Sequence, residues 1–145
     1  MENNMFQNNL KLENTVFFVD NNLTNKNNIK RAIFKTRLKT NIKYADSISE
    51  LVDMFKNKES SLPKCIFLNT NRTKKDFSET QKLSQQLQKY CIPLVLFNDS
   101  KEKNKFRIKN QFTSGFIDGP FDTKKIIEML YSIRIYWDNL YSLSA

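Results

Sequence analysis

The stretch Pro63–Thr73, "PKCIFLNTNRT", runs from an apolar core segment into a polar turn. Cys65, Ile66, Phe67 and Leu68 follow one another without a polar residue between them, and Asn69 ends the run. A short apolar run with no alternation reads as a strand buried on both faces, which is how central strands of parallel sheets look. The same pattern recurs on either side. "TVFFV" (15–19) precedes "DNN", a weaker strand "NIKYA" (41–45) follows, "PLVLFN" starts at Pro93, and "TSGFID" (113–118) leads into "GPFD".

Helical spacing fills the intervals. In "TNKNNIKRAIFKTRLK" the apolar positions Ile29, Ala32, Ile33 and Leu38 recur at roughly helical intervals, with Thr24 or Asn25 as candidate N-cap. In "DSISELVDMFKN", Ser47 and Glu50 have capping-box spacing, and Ile48, Leu51, Val52 and Phe55 form an apolar face. A third helix is expected from about Lys75 to Tyr90, ended by Pro93. A short fourth falls in "DSKEKNKFRIKN", with Asp99 or Ser100 as cap. A long fifth starts after Asp122 or Thr123 and reaches about Tyr141. Five strands alternating with five helices predict an α/β fold: a five-stranded parallel sheet, doubly wound, of order 2-1-3-4-5. Ligands of such sheets sit at the carboxyl ends of the strands, near the switch between strands one and three. The residues closing the strands there are Asp20, Asn69, Asn98 and Asp118.

The 145 residues suffice for one cored domain, expected over 15–145 behind a flexible tail of residues 1–14. An apolar content of 39% with twelve Phe favours a globular fold over disorder. No apolar stretch approaches the roughly 20 residues that span a bilayer, and the N-terminus lacks a signal-peptide layout, so a cytoplasmic protein is expected. The absence of histidine excludes Ser-His-Asp and Cys-His catalysis, a phosphohistidine relay within the chain and most zinc sites. With Gly115 and Gly119 as the only glycines, a Walker loop, a dinucleotide fingerprint and a nucleophile elbow are impossible. The chain is not expected to be an enzyme. Cys65 and Cys91 are expected to be packed core thiols.

The layout resembles the receiver domain of two-component response regulators, in a degenerate, CheY-like, single-domain form. The resemblance covers about Thr15 to Tyr141. It rests on "VFFVDNN" as first strand and acidic turn, "IFLN" as third strand, "IPLVLFND" as fourth and "GFIDGPFD" as fifth. It implies a flavodoxin-like fold and a role in phosphorelay signal transduction. The family's chemistry needs two acids after the first strand to help hold Mg²⁺; here they are Asp20 and Asn21. It needs a nucleophilic aspartate ending the third strand, a Ser or Thr ending the fourth, and a Lys before proline ending the fifth. Here these are Asn69, Asn98 and Gly119, ahead of Pro120. One of the five is kept.

A neutral amide oxygen cannot replace the carboxylate nucleophile, so Asn69 cannot carry an aspartyl phosphate. Mg²⁺ prefers anionic oxygens, and Asp20 alone offers one charge where the family offers three, so metal binding is expected to be weak or absent. The expected pocket is lined with amides, Asn21, Asn69 and Asn98, which bond one another or water. The resemblance further implies a cis Gly119–Pro120 peptide and places the family's switch aromatic at Phe116. Gly115 is expected to supply a positive-φ turn into the fifth strand.

A receiver acts through its surface, and the last helix carries two apolar sets. Ile126, Leu130, Ile133, Trp137 and Leu140 form a 4-3-4-3 seam expected to pack on the sheet. Ile127, Met129, Tyr131, Ile135, Tyr136 and Tyr141 lie outside it, and Ile127, Tyr131, Ile135, Tyr136 and Tyr141 are the interface candidates. The expected partner is a protein, a histidine kinase or another signalling protein, or a second copy forming a homodimer. The net charge of +9 brings in a second reading, a basic nucleic-acid-binding domain using Arg72, Lys74, Lys75 and the lysines of the fourth helix. Lys101, Lys103, Lys105, Arg107 and Lys109 recur at every second position, which spreads charge around a helix. Nucleic-acid contact is therefore expected to be weak and non-specific.

Overall fold

The computed structural model describes residues 14–56, 62–70, 76–98, 115–117 and 119–144. In chain order the elements are β1 (Thr15–Val19), α1 (Leu23–Thr36), β2 (Asn41–Ala45), α2 (Ile48–Lys56), β3 (Cys65–Asn69), α3 (Asp76–Gln88), β4 (Leu94–Phe97), β5 (Gly115–Ile117) and α4 (Thr123–Ser144). The sheet order is β2-β1-β3-β4-β5 and every pairing is parallel. Four helices lie among the described residues. The expected helix between β4 and β5, with Asp99, Ser100 and its lysines, lies outside them. So do Arg72, Lys74, Lys75, Asp118 and residues 1–13.

Strand side chains alternate between two cores, because successive residues of a strand point to opposite faces. Phe17, Val19, Ile66, Leu68, Leu94 and Leu96 face α2 and α3. Val16, Phe18, Cys65, Phe67, Val95 and Phe97 face α1 and α4. Both faces of β1, β3 and β4 are covered, which is why these strands read as unbroken apolar runs. On the second face Phe121, from the turn before α4, stacks on Phe97 with ring centroids 4.0 Å apart and lies tilted against Phe18 at 5.7 Å. Tertiary burial here outweighs the turn-forming character of "GPFD": Phe121 plugs the space between the sheet and the two helices.

Helix α4 packs its predicted seam inward. Ile126, Leu130, Ile133 and Trp137 are buried, and Leu140 packs against them. Trp137 donates its indole N–H to the Lys64 carbonyl at 2.7 Å, tying the second half of α4 to the entry of β3. Helix α2 opens as expected, with the Glu50 N–H donated to Ser47 Oγ. The return bond of the capping box goes to the Asp46 N–H, one residue ahead of its usual target. No described helix is long and apolar enough to cross a membrane.

Several expectations are corrected. The N-cap of α1 is Asn22, whose side chain accepts from the Asn25 N–H, and neither Thr24 nor Asn25 caps. The cap moves forward because the helix begins at Leu23, directly after the acidic turn. Gly119, at φ 78°, holds the positive-φ backbone, whereas Gly115 does not. What Gly115 supplies is clearance: a Cβ there would meet Met129 Cε at 3.0 Å. The Gly119–Pro120 peptide is trans, the turn being made by the left-handed Gly119 instead. Cys65 is buried, but Cys91 is exposed, at φ 58° in the tight turn that leaves α3.

Candidate functional site

Register brings the site together. Val19 pairs with Leu68 and Asn69 with Phe97, so the residues ending β1, β3 and β4 arrive at one edge of the sheet. Asp20, Asn69 and Asn98 are all buried there. Asp20 is only 2% exposed, which matters because a buried carboxylate must have its lone pairs used. They are. Asp20 Oδ1 accepts the backbone N–H of Asn21 at 2.8 Å. Asp20 Oδ2 accepts two side-chain amides, Asn25 Nδ2 at 2.9 Å and Asn69 Nδ2 at 3.0 Å. The α1 N-terminus adjoins this carboxylate, and the partial positive charge of a helix start favours an anion there.

The Asn69 amide thus bonds the Asp20 carboxylate, where a bond to another amide or to water was expected, and a second amide joins it there. Asn21 is exposed and contributes its backbone, while Asn25, one helical turn further, supplies the side chain. The signal for Asn25 was present in its spacing. Asn25, Ile29, Ala32, Ile33 and Thr36 form the buried stripe of α1, so a polar residue at its head must point into the protein. At the neighbouring strand, Thr70 donates both its N–H (2.9 Å) and its hydroxyl (3.1 Å) to the Phe97 carbonyl, closing the edge between β3 and β4.

Gly119 lies beside β5 and carries no side chain, but a cation reaches this place by another route. Lys125 Nζ stands 3.0 Å from where a Gly119 Cβ would be. Its backbone N–H is held by Asp122 Oδ1 at 2.9 Å, the N-cap bond that starts α4. The ammonium thus comes from the first turn of the following helix. Phe116 is half-buried against the core shared with α2 and α3.

The described residues at this edge do not make up the donor set of a hard divalent cation. Among the described residues no three His, Cys, Asp or Glu cluster to hold one. Asp20, a carboxylate among the described residues of this edge, already accepts three N–H groups, and the Asn25 and Asn69 amides turn their nitrogens towards it.

The interface candidates separate onto two flanks of α4. At about 100° per residue, Ile127 and Tyr131 lie on the side facing α1, Ile135 points outward, and Tyr136 lies on the far side. Tyr136 donates its hydroxyl to the Cys91 carbonyl at 2.7 Å, and burial pushes the phenol above its ordinary range, with Cys91 adding to the shift. Tyr131 is 43% exposed and Ile135 60%. The side chain of Tyr141 lies outside the described ones. Phe34, at 84% exposure on α1, went unnoticed in the sequence because its neighbours Ala32 and Ile33 are core residues.

No family model matches the sequence, and no curated protein matches it. Solved structures do. A two-component response regulator from Legionella pneumophila superposes with a TM-score of 0.66 at 19% identity, covering 83% of this chain and 97% of that one. The chemotaxis response regulator CheY4 of Vibrio cholerae gives 0.62 at 15% identity, covering 82% and 97%. The Mn²⁺-bound form of response regulator Rcp1 gives 0.64 at 15%, covering 85% and 93%. Together with the sheet order and the carboxyl-edge site, these likenesses establish that the chain has the fold of response-regulator receiver domains.

Proposed function

We propose that the chain is a receiver-like signalling module of two-component or phosphorelay type that takes no phosphoryl group on the residue ending β3 and acts by protein contact. The observation that carries this reading is the hydrogen-bonded closure of Asp20 by Asn25 and Asn69. Where a phosphorylatable receiver needs an attacking carboxylate and a metal, this edge has an amide and a carboxylate already satisfied by N–H donors. None of the described residues at this edge is poised for catalysis, which supports reading the module as a non-enzymatic one. It is a cytoplasmic protein, and its partner is another signalling protein, a kinase among the candidates.

The fold leaves the outward side of α4 for contact. Ile135 is exposed there, and the ring of Tyr136, on the adjoining flank about 100° round the helix, is 38% exposed although its hydroxyl is engaged. A second copy meeting this side gives the homodimer. The phosphoryl part of the reading is tested with acetyl phosphate, or beryllofluoride with Mg²⁺. The expected result is an unchanged intact mass and an unchanged tryptophan spectrum. Asn69→Asp alone is expected to gain no label, because Asn98 and Gly119 remain and the new carboxylate would sit against Asp20. An acid-stable or hydroxylamine-sensitive phosphate mapping to this edge of the wild-type chain would sink the reading.

A further inference from the structure

Between Asn21 and Ala45 the chain carries seven cations and no carboxylate. Helix α1 and the edge strand β2 gather them at one side of the sheet. None of the seven is in an ion pair among the described residues. Arg31 and Lys35 turn towards α4, where Asp122 and Glu128 offset them across a groove. Lys26 and Lys30 turn the other way, towards β2. Their ammonium groups stand 5.4 and 5.6 Å from the ring centre of Tyr44, which positions both without neutralising either. Lys43 continues the charge onto the other face of the sheet, over Phe17 at 5.9 Å. Arg37, in the left-handed C-cap of α1, carries it round the end of the helix. Two carboxylates bracket the segment. Asp20 is buried with its oxygens occupied, and no ion pair joins Asp46 to these lysines.

A ring stands exposed within this charge. At about 100° per residue Leu23, Lys30 and Phe34 share the outward side of α1, with Lys26 and Asn27 flanking them. Phe34 is 84% exposed, one turn after Lys30 and three residues before Arg37. From Leu23 to Arg37 the side runs for roughly 21 Å.

The occupant of such a surface carries repeated negative charge and something flat for Phe34. A lipid surface supplies the charge, but an interfacial helix buries a continuous apolar face. That face of α1, Ile29, Ala32 and Ile33, is already packed on the sheet. A docked peptide helix lies in a groove, and this side is the convex back of α1. A single-stranded polynucleotide supplies both elements. It has a phosphate at every nucleotide to follow a ridge of cations, and unpaired bases whose faces stack on an exposed ring. In a duplex those faces are closed by stacking on one another.

We propose that the α1–β2 flank binds a single-stranded polynucleotide, with phosphates on Lys26, Lys30 and Arg37 and a base on Phe34. This goes beyond the protein-contact reading, does not depend on it, and uses cations other than those the sequence pattern singled out.

The test uses the full chain and a fluorescein-labelled strand of about 20 thymidylates, followed by anisotropy as salt is raised. Binding at low salt is expected, with a log–log salt slope of about −2, since about three phosphates are neutralised at roughly 0.7 each. Lys26→Glu with Lys30→Glu should weaken it at least about tenfold and bring the slope to about −0.7. Lys56→Glu with Lys82→Glu, on α2 and α3 across the sheet, makes the same change in net charge and should weaken it by less than about threefold. Phe34→Ala should weaken it by about fivefold or more with the slope unchanged, and should leave binding of the matching duplex as it was. Matching urea midpoints confirm that the variants fold. No binding at low salt, an equal loss with the two charge-reversed pairs, or a Phe34→Ala chain that binds like the wild type would each overturn the inference. Tighter, Phe34-dependent binding of phosphatidylserine vesicles or of polyglutamate would overturn it as well, giving the flank to a membrane or to an acidic protein.

Discussion

A carboxylate out of water needs its oxygens occupied, and Asp20 has three donors on two of them. The three come from the turn after β1, from α1 and from the end of β3, so one side chain ties three segments of chain at the sheet's edge. In a working phosphoryl site the same carboxylate would have to stay open to a metal. Here it acts as a structural tie. Asp20→Ala removes the shared acceptor, and two buried amides lose it at about 1–3 kcal/mol each. The expected outcome is a stability about 2–4 kcal/mol lower, read as a reduced urea midpoint with an unchanged slope. Asp20→Asn, which keeps one acceptor oxygen, should lose less. A midpoint for Asp20→Ala within error of the wild type would mean that the bonds at Asp20 contribute nothing to folding.

At the level of elements, the two glycines of β5 and its exit do different work, and substitution separates them. Gly119 is left-handed at φ 78°, and a Cβ would also crowd the Lys125 ammonium at 3.0 Å. Gly115 has an ordinary strand backbone, and its added Cβ would meet the tip of Met129, a flexible thioether that can move aside. Gly119→Ala is therefore expected to destabilise by about 1–3 kcal/mol, and Gly115→Ala by clearly less, in paired urea melts. The reverse order would show that the Gly119 turn readily relaxes. These glycines also mark where sequence reading gave out. Strands β1, β3 and β4 were legible because both their faces are buried and no polar residue interrupts them. That Asp20 and Asn69 share one edge was legible because parallel register brings strand ends together, but the bond between them was not. Asn25 was missed although its spacing from Ile29, Ala32 and Ile33 carried the signal, since a cap and a buried polar residue look alike at the start of a helix. Lys125 was missed as well, because its reach back to Gly119 depends on a turn whose backbone angles the letters "GPFD" leave open.

For the whole molecule, what matters is which parts the double-layered packing hides and which it leaves to solvent. Two cysteines that look equivalent in sequence are separated by it: Cys65 lies inside the α1–α4 core, where burial pushes its thiol far above the ordinary range, and Cys91 is exposed in the α3–β4 turn. A thiol reagent at neutral pH should modify Cys91 in the native protein and Cys65 only after unfolding, as mapped by peptide mass. Prompt modification of Cys65 would contradict the packing of that face. The same division decides where copies can meet. The seam of α4 is spent on the sheet, and the side towards α1 is bordered by charges of both signs, Arg31, Lys35 and Lys124 with Asp122 and Glu128. The outward side keeps Ile135, 60% exposed, and Tyr136 lies on the flank away from α1. An isologous dimer there sets apolar against apolar and leaves the charged groove at its periphery. Sedimentation at micromolar concentration should give twice the chain mass. Ile135→Ser, at an exposed position where substitutions change stability by about 0.5 kcal/mol or less, should restore the single-chain mass with an unchanged urea midpoint. Raised salt should tighten the wild-type dimer by screening the repulsion between two chains of net charge +9. A wild-type chain that sediments as a monomer in both low and high salt would exclude this dimer.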